Sequence, residues 1–326
     1  MPMRCLALGM ALLLIQTGCG NGAATSFEIN STSENFGQKV LYNNKVDIVM
    51  LIDNSTSMQQ HQARLSKQMP TLVSVLQSLK MDYHIVVITT SMGSGGDGGQ
   101  FKGSPTVLTN QTANLATVLS DRILQGEAGK DLERGLESLQ SVLDPGYLAT
   151  DGAGFFRDDA LMAVIALSDE DDSSAGTAST YASLLEKLKP AGKDGRKSWI
   201  FNFIGVLSNS SQCRTFNDYS APGSKFMQLA DISGGNKESI CTSNLASAVT
   251  NIKARIIQIL TDFYLGEKPA PLTIKVRVNG ILVPQNTENG WSYIEEAGKY
   301  LIRFNGTSIP PADADIHIDY TPAQAR

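Results

Sequence analysis

Four short apolar runs set the strongest limit on how this chain can fold: "VDIVMLI" (46–52), "YHIVVITT" (83–90), "LMAVIALS" (161–168) and "SWIFNFIGVL" (198–207). A strand with one face in water alternates apolar and polar residues, and these do not alternate, so both of their faces must be covered. Between them lie stretches with helical period, at 57–80, 130–143 and 180–189, and a last long one follows at 244–263. In the second, Leu132, Leu136, Leu139 and Leu143 recur at spacings of three and four, giving one apolar face that has to pack on something. Buried strands separated by amphipathic helices predict an α/β fold, a doubly wound and mainly parallel sheet.

After Gly266 the texture changes. "PLTIKVRVNGILVP" (271–284) reads as two strands around an Asn279-Gly280 turn, a dipeptide that tolerates the positive φ angles of a tight hairpin. Further β-like pieces follow at "WSYI" (291–294), "YLIRF" (300–304) and "ADIHIDY" (314–320), with no helical period. The expected layout is an α/β domain over 46–265 and a small C-terminal β module over 266–326, paired with "FGQKVLY" (36–42) and packed on the body.

The first residues combine Arg4, an apolar run of about ten residues and then small residues, which is an export signal and too short to span a membrane. Residues 1–18 are expected as the signal and 19–45 as a small, polar tether ending in a possible strand. Of the four cysteines, Cys5 goes with the signal, and Cys213 and Cys241 are left as a pair in an oxidising compartment, where a disulfide is the simplest use for them. A formal charge of −5 with scattered basic residues argues against nucleic acid.

Ligands of a parallel α/β sheet bind at the carboxyl ends of its strands. Asp53, Ser55 and Ser57 follow the first run, and Asp169 follows the third in "LSDEDDSS". Two carboxylates and two hydroxyls are hard oxygen donors suited to Mg²⁺, Mn²⁺ or Ca²⁺. The competing structural reading is that Asp53 and the serines cap the helix that follows, and the two can coexist. Glu170, Asp171 and Asp172 lack the spacing of a calcium loop and are read as a solvated acidic loop. The glycine-rich "SMGSGGDGGQ" (91–100) has no Lys-Ser/Thr phosphate cradle and is expected as a mobile loop at the rim of the site.

"DIVMLIDNSTSM", the alternation of strands and helices, and "VIALSDEDD" resemble a von Willebrand factor A-type domain with its metal-ion-dependent adhesion site. The resemblance covers about 45–265 and implies that Asp53, Ser55, Ser57 and Asp169 ligate the metal. It implies a threonine in the middle loop, where this chain has "GKDLERGL"; Lys130 stands at that position with Asp131 beside it. Cys19 after "QTG" resembles the lipidated cysteine of bacterial lipoproteins, with Gln16 where an aliphatic residue is usual; ordinary cleavage near "GAA" is the rival. Gly20 lacks the Asp that often marks inner-membrane retention, which points to the outer membrane.

The expectation is an envelope-anchored, divalent-metal-dependent adhesion protein that captures a carboxylate of a protein or cell-surface partner. The alternative is a structural envelope component with a metal-free site. An enzyme is not expected: Ser55 stands where a dehalogenase-like phosphotransferase has its second aspartate, and no Gly-x-Ser-x-Gly nucleophile turn is present.

Overall fold

The computed structural model describes residues 38–39, 43–129, 133–192, 196–215 and 221–323. Cys19, Lys130 and Asp131 lie outside the described residues.

The chain opens with β1 (Gln38–Lys39) and β2 (Lys45–Ile52), followed by helices α1 (Gln59–Ser66) and α2 (Met69–Ser78) and strand β3 (Asp82–Thr89). The stretch read as one helix at 57–80 is thus two, and the second starts with Pro70 in its first turn, where a missing N–H is tolerated. Then come α3 (Leu115–Ile123), α4 (Gly135–Val142), a short α5 (Pro145–Leu148), β4 (Leu161–Ser168), α6 (Ala178–Leu188) and β5 (Trp199–Gly205). The body ends with a short α7 (Ser211–Arg214), α8 (Ser224–Ser233), β6 (Lys237–Ser239) and α9 (Ala246–Thr261).

Strands β3-β2-β4-β5-β6 form one all-parallel sheet in that order. It carries a hydrophobic core on each face, one built around Ile48, Met50 and Ile52 and the other around Val49, Leu51 and Val164. The apolar runs are continuous because alternate residues face opposite cores. From the first strand, β2, the chain moves to β3 on one side and then to β4 on the other, which opens a crevice between the carboxyl ends of β2 and β4. Register places Ile52 opposite Leu167, so Asp53 and Asp169 emerge beside each other.

At the opposite end of the sheet Asp47, on β2, is fully buried among cations. Arg157 bonds it from its backbone and its guanidinium at 2.8 Å, and the buried Lys189 ammonium lies 4.0 Å away.

Cys213 and Cys241 are disulfide-bonded across a sequence separation of 28. The segment between them contains α8 and β6. The reason is local, since Phe226, Leu229, Ala230 and Ser233 recur at helical spacing and are buried, and Gly234 closes the helix at φ +71°.

The C-terminal module consists of β7 (Asp262–Leu265), β8 (Lys275–Val278), β9 (Ile281–Val283), β10 (Gly290–Glu296), β11 (Lys299–Asn305), a 3₁₀ turn and β12 (Ile316–Asp319). Two antiparallel sheets, β10-β11-β7 and β1-β12-β8-β9, share a core of Phe263, Trp291, Ile302, Phe304 and Ile318. The expected pairing with the segment before the body is present through β1 and β12, and Asn279-Gly280 turns the β8–β9 hairpin with φ +52° and +79°. Strand β7 continues directly from α9, and Arg303 grips Asp262 through two hydrogen bonds of 2.8 and 2.7 Å.

Candidate functional site: a buried acid and hydroxyl cluster

Asp53 is the first residue past β2, and its N–H still bonds to Leu167 O at 2.9 Å, so the sheet fixes its position. One carboxylate oxygen accepts the Ser55 N–H at 2.9 Å and the other accepts the Ser168 hydroxyl at 2.6 Å. The turn that follows brings the Ser55 and Ser57 hydroxyls to 3.4 Å from each other. Gln62 on α1 braces the turn: its amide N–H groups donate to Asp53 O at 2.8 Å and Gly126 O at 3.0 Å, and its carbonyl accepts the Gly126 N–H.

Asp169, just past β4, is 2% exposed, and its Oδ1 is buried with no hydrogen-bond partner. Burial and then the Asp53 charge push its carboxyl up to about 7, against the hydrogen bond from Ser57. Burial also raises the Asp53 carboxyl above its ordinary value, although the bonds from Ser168 and Ser55 oppose it. The four residues singled out in the sequence are therefore gathered at one place: Asp53 with Ser55 and Ser168, Ser57 with Ser55 and Asp169.

A third acid, Glu133, belongs to the cluster and was not read from the sequence. It is 1% exposed, its Oε2 accepts the Thr90 hydroxyl, and its Oε1 has no partner. Burial and the Asp53 charge push it up to about 8. An acid just before a helix reads in sequence as an ordinary first-turn residue; only the end of β3, reaching across with Thr90, shows where it points.

The acidic loop after β4 is not the solvated one expected. Asp172 is buried, its carboxylate accepting the Leu136 N–H at the start of α4 and both the N–H and hydroxyl of Ser174, each at 3.1 Å. Asp171 accepts the Lys225 N–H in the first turn of α8 at 2.8 Å. These carboxylates satisfy helix-end donors that would otherwise be orphaned. The glycine-rich loop does sit at the rim, and Asp97 ties it there by accepting from Thr89 at 2.8 Å and Asn54 at 3.2 Å and pairing with Lys102 at 2.9 Å. Burial opposes ionisation of Asp97, but the bonds from Lys102 and Thr89 outweigh it and hold the carboxyl below its usual value.

Among the described residues, no three His, Cys, Asp or Glu side chains are set to hold an ion by themselves, so hydroxyls have to complete any ligand set. The donors present fit a hard divalent cation: all are oxygens, and the unpartnered Asp169 Oδ1 is a buried acceptor left for a cation or a proton. The histidines are engaged elsewhere, His61 against Arg64, His84 with Phe155 O at 2.8 Å and His317 with Asp315 at 3.1 Å.

No family model and no curated protein matches the chain. Among solved structures it is similar to proximal thread matrix protein 1 from the mussel byssus, with 14% identity and a TM-score of 0.41 over 71% of this chain and 51% of that one. The same byssus protein with a zinc-occupied MIDAS motif gives 13% identity and 0.39, over 69% and 50%. The pilus adhesin SpaC from Lactobacillus rhamnosus GG gives 13% identity and 0.41, over 87% of this chain and 40% of that one. The chain thus spans half the length of the byssus protein, or 51%, and 40% of the adhesin.

Proposed function

We propose that this chain is an exported, envelope-anchored binding protein of the von Willebrand factor A type. In this reading Asp53, Ser55, Ser57 and Asp169 hold a divalent cation, Mg²⁺ with Mn²⁺ or Ca²⁺ as substitutes, and the site captures a carboxylate of a protein or cell-surface partner. The observation that carries it is the pair of buried carboxyls at adjacent strand ends, one with an orphaned oxygen, beside two hydroxyls 3.4 Å apart. Hydroxyls are weak, neutral donors, so a cation held this way keeps open positions for a partner's oxygen. Asp53 and Asp169 contribute the charge, the serines fix the direction of approach, and the loop braced by Asp97 shapes the rim.

Binding rather than catalysis is the reading because the cluster offers hard oxygen donors suited to a cation. The disulfide supports export to an oxidising compartment. No helix among the described residues is long and apolar enough to cross a membrane, and anchoring at the outer membrane is assigned to lipid on Cys19. One observation favours a second reading, a structural envelope component with a metal-free site: both oxygens of Asp53 already accept hydrogen bonds. Capture of a partner from envelope extracts, with and without EDTA and with Asp53→Ala as control, separates the two. EDTA-sensitive capture lost in the variant supports the metal-dependent reading, and capture indifferent to both supports the structural one.

A further inference from the structure

At the amino end of β5, away from the acid cluster, a cavity of about 250 Å³ opens between α9 and the strands β7 and β11. Its wall is rich in cations. Arg196 and Lys197 line it from the segment before β5, Arg255 from α9, and Lys299 and Arg303 from β11. Two carboxylates are present as well, Asp262 and Glu296, and Arg303 already grips Asp262 through both of its oxygens. The local balance is positive on a chain whose formal charge is −5. Ile259 and Leu301 supply apolar wall, which concentrates the field of the charges around it.

The backbone gathers two of these cations at one point. Lys197 Nζ donates to Ser233 O at 2.7 Å, and Arg255 Nε donates to Gly234 O at 2.9 Å. A Cβ on Gly234 would lie 3.3 Å from Arg255 Nη2 and 3.5 Å from Lys197 Nζ. The carbonyl end of α8 thus draws an ammonium and a guanidinium together, and no ion pair among the described residues includes either. Burial, and after it the Arg255 charge, lower the Lys197 pKa from its ordinary value, with Glu186 opposing and Lys299 adding to the effect. Capping α8 accounts for one side of Lys197 and Arg255. It gives no reason for Arg196 and Lys299 to line the same cavity. Like charges collected around a hollow are unfavourable until an anion sits among them.

We propose that this cavity binds a phosphomonoester group, with Lys197 and Arg255 as its main contacts and Arg196 and Lys299 extending the positive wall. A dianion with tetrahedral oxygens suits a guanidinium fork beside an ammonium, whereas a single carboxylate leaves most of the wall uncompensated. The volume admits a phosphate with a small bearer and is below the range of drug-sized ligand sites. The bearer is a phosphorylated sugar or the headgroup of an acidic lipid. The site is independent of the acid cluster, which lies at the opposite end of the parallel sheet.

The test is calorimetric titration of the full chain with inorganic phosphate, glucose 6-phosphate and dihexanoyl phosphatidic acid, at about 0.15 M salt, where loose surface attraction is screened. Wild type, Lys197→Gln and Lys299→Gln are compared, with melting temperatures measured without ligand. Wild type should show saturable binding, and loss of one charge-assisted contact should weaken it about tenfold in Lys197→Gln. Uptake of glucose 6-phosphate tighter than that of inorganic phosphate identifies a sugar as the bearer, and tighter uptake of phosphatidic acid identifies a lipid. No saturable uptake of any of the three by wild type would overturn the proposal, as would full affinity in Lys197→Gln. If Lys197→Gln loses melting temperature together with affinity, Lys299→Gln decides, because Lys299 is exposed. Weaker binding at an unchanged melting temperature then supports the site, and unchanged binding overturns it.

Discussion

Raising the pH in the absence of divalent ions should destabilise the fold, against the usual trend for a protein whose carboxylates are salt-bridged. Asp169 moves from 3.8 to about 7 and Glu133 from 4.5 to about 8. Each holds a proton in the folded chain that the unfolded chain has already released. The stability that comes with that proton is fully present below the unfolded values and is lost as pH rises through the folded ones. Integrated from about pH 6.5 to about pH 8.5, the loss is roughly 1 kcal/mol from Asp169 and roughly 2 kcal/mol from Glu133. His61, held down to about 3 by burial and Arg64, is neutral when folded, and its release from protonation in the unfolded chain offsets only a small part of that loss over the window. Urea denaturation in EDTA at both pH values measures the difference as a fall in midpoint at constant slope. Glu133→Gln should remove most of the fall, and Mn²⁺ added at the higher pH should restore wild type by binding the folded state alone. A wild-type midpoint that stays level or rises over this window refutes the reasoning, because the buried acids would then carry their charge at no cost.

Three further outcomes follow from other parts of the molecule. Cys213→Ser with Cys241→Ser opens a loop of 28 residues and should cost ~3–4 kcal/mol in the chain-entropy model, checked by denaturation of the variant against oxidised wild type. Asp47→Ala strips the partner from Arg157 and the buried Lys189 and should cost about 3–5 kcal/mol, and a loss below about 1 kcal/mol would show that the network is slack. Cys19→Ser should free the protein from the membrane fraction or leave it unprocessed, and a mature-sized variant still in that fraction would point to another anchor.

The parallel sheet was legible because its strands are buried on both faces, and continuous apolar runs such as 46–52 and 161–168 admit few other uses. Asp53, Ser55, Ser57 and Asp169 were legible for a related reason: once strand ends are known, polar residues just past them mark the crevice. Pro70 could have split the first helix, since it suits a helix start and disfavours an interior. Helix α8 is not among the helices read from the sequence, although its buried Phe226, Leu229, Ala230 and Ser233 keep helical spacing. The caps made by Asp171 and Asp172 depend on contacts some 36 to 54 residues away, which no local pattern encodes. Glu133 is the hardest case, because aligning the middle loop on a missing threonine draws attention to Lys130, and the side chain three residues on gains meaning only when Thr90 and Asp53 are seen around it.

The cluster at the ends of β2 and β4 is proposed to take a divalent cation. Calorimetric titration of the full chain with Mg²⁺ and Mn²⁺, alongside Asp53→Ala, tests it most directly. A saturable binding signal in wild type and loss of most of it in the variant are expected, because Asp53 would supply one of the carboxylates on the ion. Equal affinity in the two proteins, or no uptake by wild type, would contradict it.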